Sequence, residues 1–200
     1  MRDLGNVVLA QALDQAAQWH RRGPQLTVAV NLPASSLVDI DLPNRIMGLL
    51  ADRALPAEAL HLEITEEFLA ADRARARTML TRLRELGLQI AVDDFGTGFS
   101  SLVYLRDLPI DELKLDHVFV LPMADDARAA ALVISTINLA HSLGLRIVAE
   151  GVENRTTLTK LTEHGCDQAQ GYYLSPPVPA AELDTWLAQR RAGQPDSGER

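Results

Sequence analysis

The sequence is poor in cysteine and in long apolar runs. Its 200 residues include one cysteine, Cys166, which excludes an internal disulfide framework and fits a reducing compartment. No apolar run approaches the roughly 18 residues needed to cross a bilayer, and polar residues interrupt the apolar stretch at the N-terminus, unlike in a signal peptide. We therefore expect a cytoplasmic domain without a membrane segment.

Basic residues are also in the minority. Asp and Glu number 27 against 19 Lys and Arg, so the net charge is −8. A nucleic-acid polymer is not expected as a partner, because phosphate contacts need clustered Lys and Arg. An acidic protein can still bind a small phosphate ester when bound cations mediate the contact.

Strand-like runs alternate with helical stretches along most of the chain. Helices are predicted over residues 3–22, 74–86 and 126–143, and Gly87 and Gly144 stand where left-handed helix caps are expected. Strands are predicted at residues 26–32, 60–65, 89–95, 112–116, 146–152 and 167–174. This alternation is typical of parallel βαβ units. We expect one domain over residues 1–189 and a disordered tail over residues 190–200.

Each predicted strand carries a polar residue of inward parity at or near its carboxyl end: Asn31, Glu63, Asp93, Lys114, Glu150 and Gln170. Several charges around one opening are costly to bury unless they share cations or a ligand. The carboxyl-terminal mouth of a (β/α) barrel is where such sites are built. The alternative is that they are ordinary strand-end residues that meet solvent.

The segment Asp93-Asp94-Phe95-Gly96-Thr97-Gly98 is the sharpest local signal. Adjacent carboxylates at a strand end project to different sides, so they can bridge or divide two cations. Carboxylate and amide oxygens suit Mg²⁺ or Mn²⁺, and two such ions about 3.5–4 Å apart commonly cleave phosphodiesters. Read alone, the segment could also be a turn with a capping aspartate.

Six motifs in register identify a family. They are Val30-Asn31-Leu32, Leu62-Glu63-Ile64-Thr65-Glu66, the stretch 93–101, Leu113-Lys114-Leu115-Asp116, Ala149-Glu150-Gly151-Val152-Glu153 and Gln170-Gly171-Tyr172. Their order and spacing over about residues 3–187 resemble the EAL-domain cyclic di-GMP phosphodiesterases. The resemblance implies an α/β fold, a TIM-type (β/α) barrel, and metal-dependent hydrolysis of cyclic di-GMP to linear pGpG.

The resemblance also implies roles for individual residues. Metal ligands, for two Mg²⁺ or Mn²⁺ ions, would be Asn31, Glu63, Asp93 and Asp94. The catalytic group would be Lys114, which holds the attacking water or the phosphate, Glu150, a general base or water-positioning carboxylate, and Asp94. Residues that bind substrate or support this site would be Glu66, Asp116, Glu153 and Gln170. A homodimer formed through the region after Asp94 is implied as well.

The chain departs from the family pattern before Asn31. The naming Glu-Ala-Leu motif, which contributes a metal ligand and lies near a substrate-binding arginine, should precede Asn31, and no residues here occupy that place. Glu58-Ala59-Leu60 is a coincidental match that abuts the Glu63 strand, and Pro33 replaces a usual serine. About six of eight barrel strands are recognisable, so the barrel is incomplete at its N-terminus. The chain would be a fragment of a longer product, or would rely on partner pairing or domain exchange.

Two functions remain open at this point. The chain could be a phosphodiesterase that is active once the missing strands are supplied, as the intact Asp93, Asp94, Lys114 and Glu150 favour. It could instead be a truncated or degenerate regulatory module that binds cyclic di-GMP or a protein, as the missing metal ligand favours.

Overall fold

The computed structural model describes residues 2–23, 25–33, 36, 39–66, 73–97 and 102–191. Its strands are β1 (Val28–Asn31), β2 (Leu60–Thr65), β3 (Gln89–Phe95), β4 (Glu112–Leu115), β5 (Arg146–Ala149) and β6 (Gln168–Ala169). Its α-helices are α1 (Arg2–Arg22), α2 (Leu42–Ala51), α3 (Arg73–Glu85), α4 (Leu102–Asp107), α5 (His117–Val120), α6 (Ala127–Ser142), α7 (Arg155–Glu163) and α8 (Ala180–Arg191). Short 3₁₀ turns cover Ala57–Ala59 and Leu121–Ala124.

The strands form one parallel sheet in sequence order, β1 to β6. The register places Asn31 beside Glu63 and Thr65 beside Asp93. Because all strands run in the same direction, their carboxyl ends meet at one edge of the sheet. The predicted βαβ arrangement is confirmed, and the sheet is an incomplete (β/α) barrel.

Apolar side chains that point outward from the sheet pack against the helices. Leu60, Leu62 and Ile64 of β2 are at most 1% exposed. In α1, Leu9, Leu13 and Ala16 follow helical spacing and join the same core. The opposite face of β1 is exposed at Asn31 and Ala29, because the interior of an incomplete barrel meets solvent.

Local sequence signals set the helix ends. The Asp126 side chain caps α6 by accepting a hydrogen bond from Arg128 N at 2.7 Å. Gly87 and Gly144 have φ of +88° and +73°, which confirms the predicted left-handed caps. Glu58 lies in the 3₁₀ turn before β2, at the amino end of the sheet and away from the strand ends that carry the carboxylates.

The predicted strands 26–32, 146–152 and 167–174 were too long. β5 ends at Ala149 because Gly151 adopts φ +70°, and a left-handed residue cannot continue a strand. The chain after β6 bends at Gly171, where Tyr173 N donates to Val152 O at 3.0 Å. Glu150 and Gln170 therefore lie just beyond their strands rather than within them.

Helices α1 and α8 are in contact across the open side of the sheet. Trp19 Nε1 in α1 donates to Asp184 Oδ1 in α8 at 2.6 Å, and Arg22 donates to Asp184 Oδ2 at 2.8 Å. No helix of the described residues is both long and apolar enough to span a membrane. The predicted domain end at residue 189 lies within α8, and residues 192–200 of the predicted tail fall outside the described residues.

Candidate functional site

Lys114 of β4 is the centre of a buried charge cluster at the carboxyl edge of the sheet. Its Nζ atom lies 2.9 Å from Glu63 Oε1, 2.9 Å from Asp93 Oδ1 and 2.7 Å from Glu150 Oε1. The lysine side chain is 7% exposed. The three carboxylates come from β2, β3 and the residue after β5, so parallel strand ends bring together groups far apart in sequence.

Asp93 and Asp94 point to different places because the backbone turns between them. Asp94 has φ +54°, a left-handed conformation that is uncommon outside glycine but that aspartate adopts more readily than most residues. The register of β3 against β4 also shifts between Val92 and Phe95. Asp93 is buried, whereas Asp94 lies nearer to solvent.

Three carboxylates can converge on one cation. Oxygen atoms of Asp93, Asp94 and Glu150 all lie within 4.8 Å of one another. Asn31, predicted as a fourth ligand, adjoins Glu63 in the register of β1 and β2 and is exposed on the open face. These oxygen donors fit hard ions such as Mg²⁺ or Mn²⁺.

Burial and crowding control the protonation of this cluster. Burial alone would lower the pKa of the Lys114 ammonium, but its three carboxylate partners outweigh burial and raise that pKa above the usual lysine range. Burial raises the pKa of Glu150, although contact with Lys114 opposes the rise. The pKa of Asp94 is raised by burial and by the neighbouring carboxyls of Asp93 and Asp116.

Glu66 and Asp116 hold the backbone around the cluster. Glu66 is 2% exposed, and its Oε2 atom accepts a hydrogen bond from Gly96 N at 2.8 Å, which ties β2 to the loop after Asp94. Asp116 Oδ1 accepts a hydrogen bond from Val118 N at 2.7 Å and so caps α5. Both contacts hold backbone near Asp94: Gly96 lies two residues after it, and the carboxyl of Asp116 lies beside its carboxyl.

A cleft of about 350 Å³ opens beside the cluster. Its lining includes Glu150, Glu153 and Gln170 together with Gly151, Gly171, His117, Leu121 and Tyr172. Glu153 and Gln170 thus lie on the cleft wall rather than against Lys114. Tyr172 is 69% exposed, so its ring is free to contact a molecule that enters the cleft.

Part of the predicted dimer region, residues 98–101, falls outside the described residues. The other predicted site residues are described. Lys114, Glu63, Asp93 and Glu150 are in direct contact, Asp94 joins them through Asp93 and Glu150, and Glu66 contacts the adjoining loop.

A second group of polar side chains lies closer to the amino ends of the strands and was not predicted from the sequence. Arg146 Nε lies 3.2 Å from Glu112 Oε2, and its terminal nitrogen donates to Gln89 Oε1 at 2.6 Å. Burial raises the pKa of Glu112, and Arg146 partly offsets this. The signal was present: Glu112 and Arg146 have the same strand parity as Lys114 and Glu150, two and four residues earlier.

The chain matches the family model described as "EAL domain" over residues 1–177. It is 41% identical over 187 residues to a cyclic di-GMP phosphodiesterase of Pseudomonas aeruginosa, covering 94% of this chain and 32% of that protein. It is 40% identical over 189 residues to the cyclic di-GMP phosphodiesterase NbdA of the same species, covering 94% of this chain and 24% of NbdA. The chain thus spans a third or less of the length of these relatives.

Solved structures show the same fold. The EAL domain of Mycobacterium smegmatis DcpA superimposes with a TM-score of 0.89 at 37% identity, over 94% of this chain and 84% of that one. The PaMucR phosphodiesterase in complex with c-di-GMP gives a TM-score of 0.85 at 38% identity, over 90% of this chain and 74% of that one. The motifs, the fold and these matches agree, and the chain belongs to the EAL domain family of cyclic di-GMP signalling.

Proposed function

We propose that this domain hydrolyses cyclic di-GMP to linear pGpG with the help of divalent cations, once its barrel is complete. The observation that carries the proposal is the convergence of Asp93, Asp94 and Glu150 oxygens within 4.8 Å, beside the buried ammonium of Lys114. A carboxylate cluster with one fixed cationic group is suited to a substrate that carries phosphodiester anions only when metal ions offset its negative charge.

Asn31, Glu63, Asp93 and Asp94 would hold the metal ions, Mg²⁺ or Mn²⁺, and Glu150 is near enough to Asp93 and Asp94 to share an ion with them. When bound, such ions polarise phosphoryl oxygens and lower the pKa of a coordinated water. In the reaction, a water oxygen forms a bond to phosphorus and the bond from phosphorus to the 3′ oxygen breaks. The 3′ oxygen takes up a proton, and the product is linear with a 5′ phosphate.

The chain's own groups would orient this reaction. Glu150 lies at the edge of the cleft and would position the attacking water and accept its proton, while Lys114 would steady the negative charge of the phosphate. Glu66 would keep the loop after Asp94 in place through its bond to Gly96. Asp116, Glu153 and Gln170 would support the site or contact the dinucleotide.

The test is cyclic di-GMP turnover by the folded 200-residue chain with Mn²⁺, with the products separated by chromatography. We expect Asp93→Asn to abolish formation of pGpG, because it removes a carboxylate from both the metal site and Lys114. The matched control is Glu58→Gln, which changes the exposed glutamate of the coincidental Glu-Ala-Leu match and should leave turnover unchanged.

A folded chain that binds cyclic di-GMP but forms no pGpG, even with the upstream segment of a full-length EAL domain supplied, would contradict the enzymatic proposal and favour a regulatory binding module. The observation that favours this second function is the open barrel: among the described strands, β1 and β6 pair on one side only. Adding the upstream segment of a full-length EAL domain in trans separates the two, because it restores turnover only if the chain is catalytic.

Two further features are part of the proposal. A homodimer would form through the region after Asp94, and sedimentation of the chain with and without Mn²⁺ would detect it. The domain would act in the cytoplasm, where a bacterial second messenger is made and degraded.

A further inference from the structure

Lys114 and a divalent cation would draw on the same carboxylates. The ammonium of Lys114 lies 2.9 Å from Asp93 Oδ1 and 2.7 Å from Glu150 Oε1. These two residues, with Asp94, are also the group whose oxygens can meet on one ion. A carboxylate that coordinates a metal ion has less negative charge left to attract an ammonium group, and two cations held by the same carboxylates repel each other. Binding of one cation therefore weakens binding of the other.

We propose that Lys114 is the site's built-in counter-ion, whose ammonium competes with a divalent cation for Asp93 and Glu150 and moves off them when the metal binds. This rests on the metal dependence in the proposed function and adds to it a device that sets the metal affinity. Lys114 would thus be a residue that tunes metal binding, in addition to any contact with substrate.

The burial of the cluster explains why a counter-ion is needed. The carboxylates of Glu63, Asp93 and Glu150 are 12%, 12% and 17% exposed. Carboxylates so close together and so poorly hydrated repel one another and disfavour the folded chain unless a cation lies between them. Lys114 is anchored on β4 between β3 and β5, so it supplies that cation from the fold itself.

The chain offers a matched control because it contains only one other lysine, Lys160. Its ammonium is also partly buried, but it donates to the backbone carbonyls of Met123 and Ala124 at 3.1 and 2.7 Å. Lys160→Met therefore removes a hydrogen-bonded lysine without changing the carboxylate cluster.

The experiment measures Mn²⁺ binding without any nucleotide, from the loss of the free-ion electron paramagnetic resonance signal, for the wild-type chain, Lys114→Met and Lys160→Met. We expect Lys114→Met to bind Mn²⁺ at least about tenfold more tightly, the change that corresponds to losing one competing charge-assisted hydrogen bond. Lys160→Met should bind as the wild type does. Equal or weaker Mn²⁺ binding by a folded Lys114→Met would overturn the proposal.

Thermal melting adds a second readout. In EDTA, Lys114→Met should melt at a lower temperature than Lys160→Met, because its carboxylates have lost their counter-ion. Added Mn²⁺ should then raise the melting temperature of Lys114→Met more than that of the wild type. An equal rise in all three proteins would contradict competition.

If Lys114→Met does not fold, the wild-type chain decides the question. With ¹⁵N-labelled lysine, Lys114 and Lys160 give two ammonium resonances, and Mg²⁺ should shift that of Lys114 and speed its hydrogen exchange while Lys160 stays constant. Bound Mg²⁺ that leaves the Lys114 resonance unmoved, or no metal binding by any variant, overturns the proposal. None of these experiments measures turnover. A chain that shows the competition but forms no pGpG would therefore contradict only the proposed hydrolysis, and the competition between Lys114 and the metal would stand.

Discussion

Glu150 is followed by a glycine that allows a very close contact with the neighbouring helix α5. Gly151 has φ +70°, and a Cβ atom at Gly151 would overlap the Cβ of His117. Gly171, on the other wall of the cleft, likewise has no room for a side chain because the backbone of Val152 lies against it. The cleft therefore depends on two positions that admit only glycine.

Gly151→Ala should destabilise the chain by about 2–5 kcal/mol, since the left-handed backbone costs about 1–2 kcal/mol for alanine and overpacking adds about 1–3 kcal/mol. Gly165 is the matched control, because it has φ +74° but nothing within 4 Å of the added Cβ. Gly165→Ala should cost only the backbone part. Urea unfolding of both variants measures the difference, and equal losses would contradict the role assigned to His117.

Strand parity predicted Lys114, Glu63 and Asp93 as inward residues of one site, because alternation along a strand needs no three-dimensional information. A turn within residues 93–98 was one interpretation of the sequence, but the left-handed backbone of Asp94 was not predicted, since an aspartate adopts φ +54° only where its surroundings favour it. The grouping of three carboxylates around one lysine also depends on the register between strands, which a single sequence does not specify.

At the scale of elements, two aspartates form the same kind of hydrogen-bonded link at the amino-terminal end of the sheet, and each link is called a brace below. Asp111, just before β4, accepts hydrogen bonds from Ile90 N of β3 at 3.0 Å and from Arg84 of α3 at 2.9 Å. Asp167, just before β6, accepts them from Ile147 N of β5 at 2.9 Å and from His141 of α6 at 3.0 Å. Each brace ties a strand to the preceding helix and to the next strand, at the end of the barrel that serves stability.

The Asp167 brace predicts a pH-dependent stability. Burial raises the pKa of Asp167, but hydrogen bonds from His141 and Ile147 N outweigh burial and hold it below its ordinary value. The stabilisation is therefore complete above the ordinary aspartate pKa of about 3.9 and is lost as the pH falls through the lower, folded-state pKa. Because Asp167 is partly exposed, Asp167→Asn should cost only about 0.5–1 kcal/mol at pH 7.

Urea unfolding of Asp167→Asn and wild type between pH 7 and pH 2.5 measures this effect. The difference between the two proteins should shrink to nothing at the acidic end, and a difference that persists or grows there would contradict the brace. Asp125→Asn, an exposed aspartate elsewhere on the surface, is the control and should follow the wild type throughout.

The long helices α1, α3 and α6 and the central strands were predictable from periodicity and glycine caps, and β2 and β3 have the predicted bounds. The ends of β5 and β6 were not, because the chain there keeps a few strand-like hydrogen bonds, such as Gln170 N to Ala149 O at 2.8 Å, while its dihedral angles already turn. Apolar and polar residues alternate through such a segment as they do in a strand, so the pattern cannot locate the end.

For the whole molecule, the open sheet is bridged by helices. Within the described residues β1 and β6 are not paired with each other, yet α1 and α8 meet through Trp19 and Asp184, which are 165 residues apart. Trp19 is 7% exposed, so its indole N–H needs the acceptor that Asp184 provides. Arg22 is 62% exposed, and its ion pair with Asp184 contributes little.

Asp184→Ala should therefore lower the free energy of unfolding by about 1.5–3 kcal/mol, the cost of leaving a buried donor without its charged acceptor. Asp184→Asn keeps an acceptor oxygen for Trp19 and loses only the charge, so it should cost about 1 kcal/mol or less. Urea unfolding measures both losses, and hydrogen exchange along α8 locates them, since a weakened bridge should raise exchange in α8 before it does so in β2 and β3. Equal stability of the alanine and asparagine variants would mean that the bridge between α1 and α8 does not depend on the Trp19 hydrogen bond, and that the open side of the barrel is held by apolar packing alone.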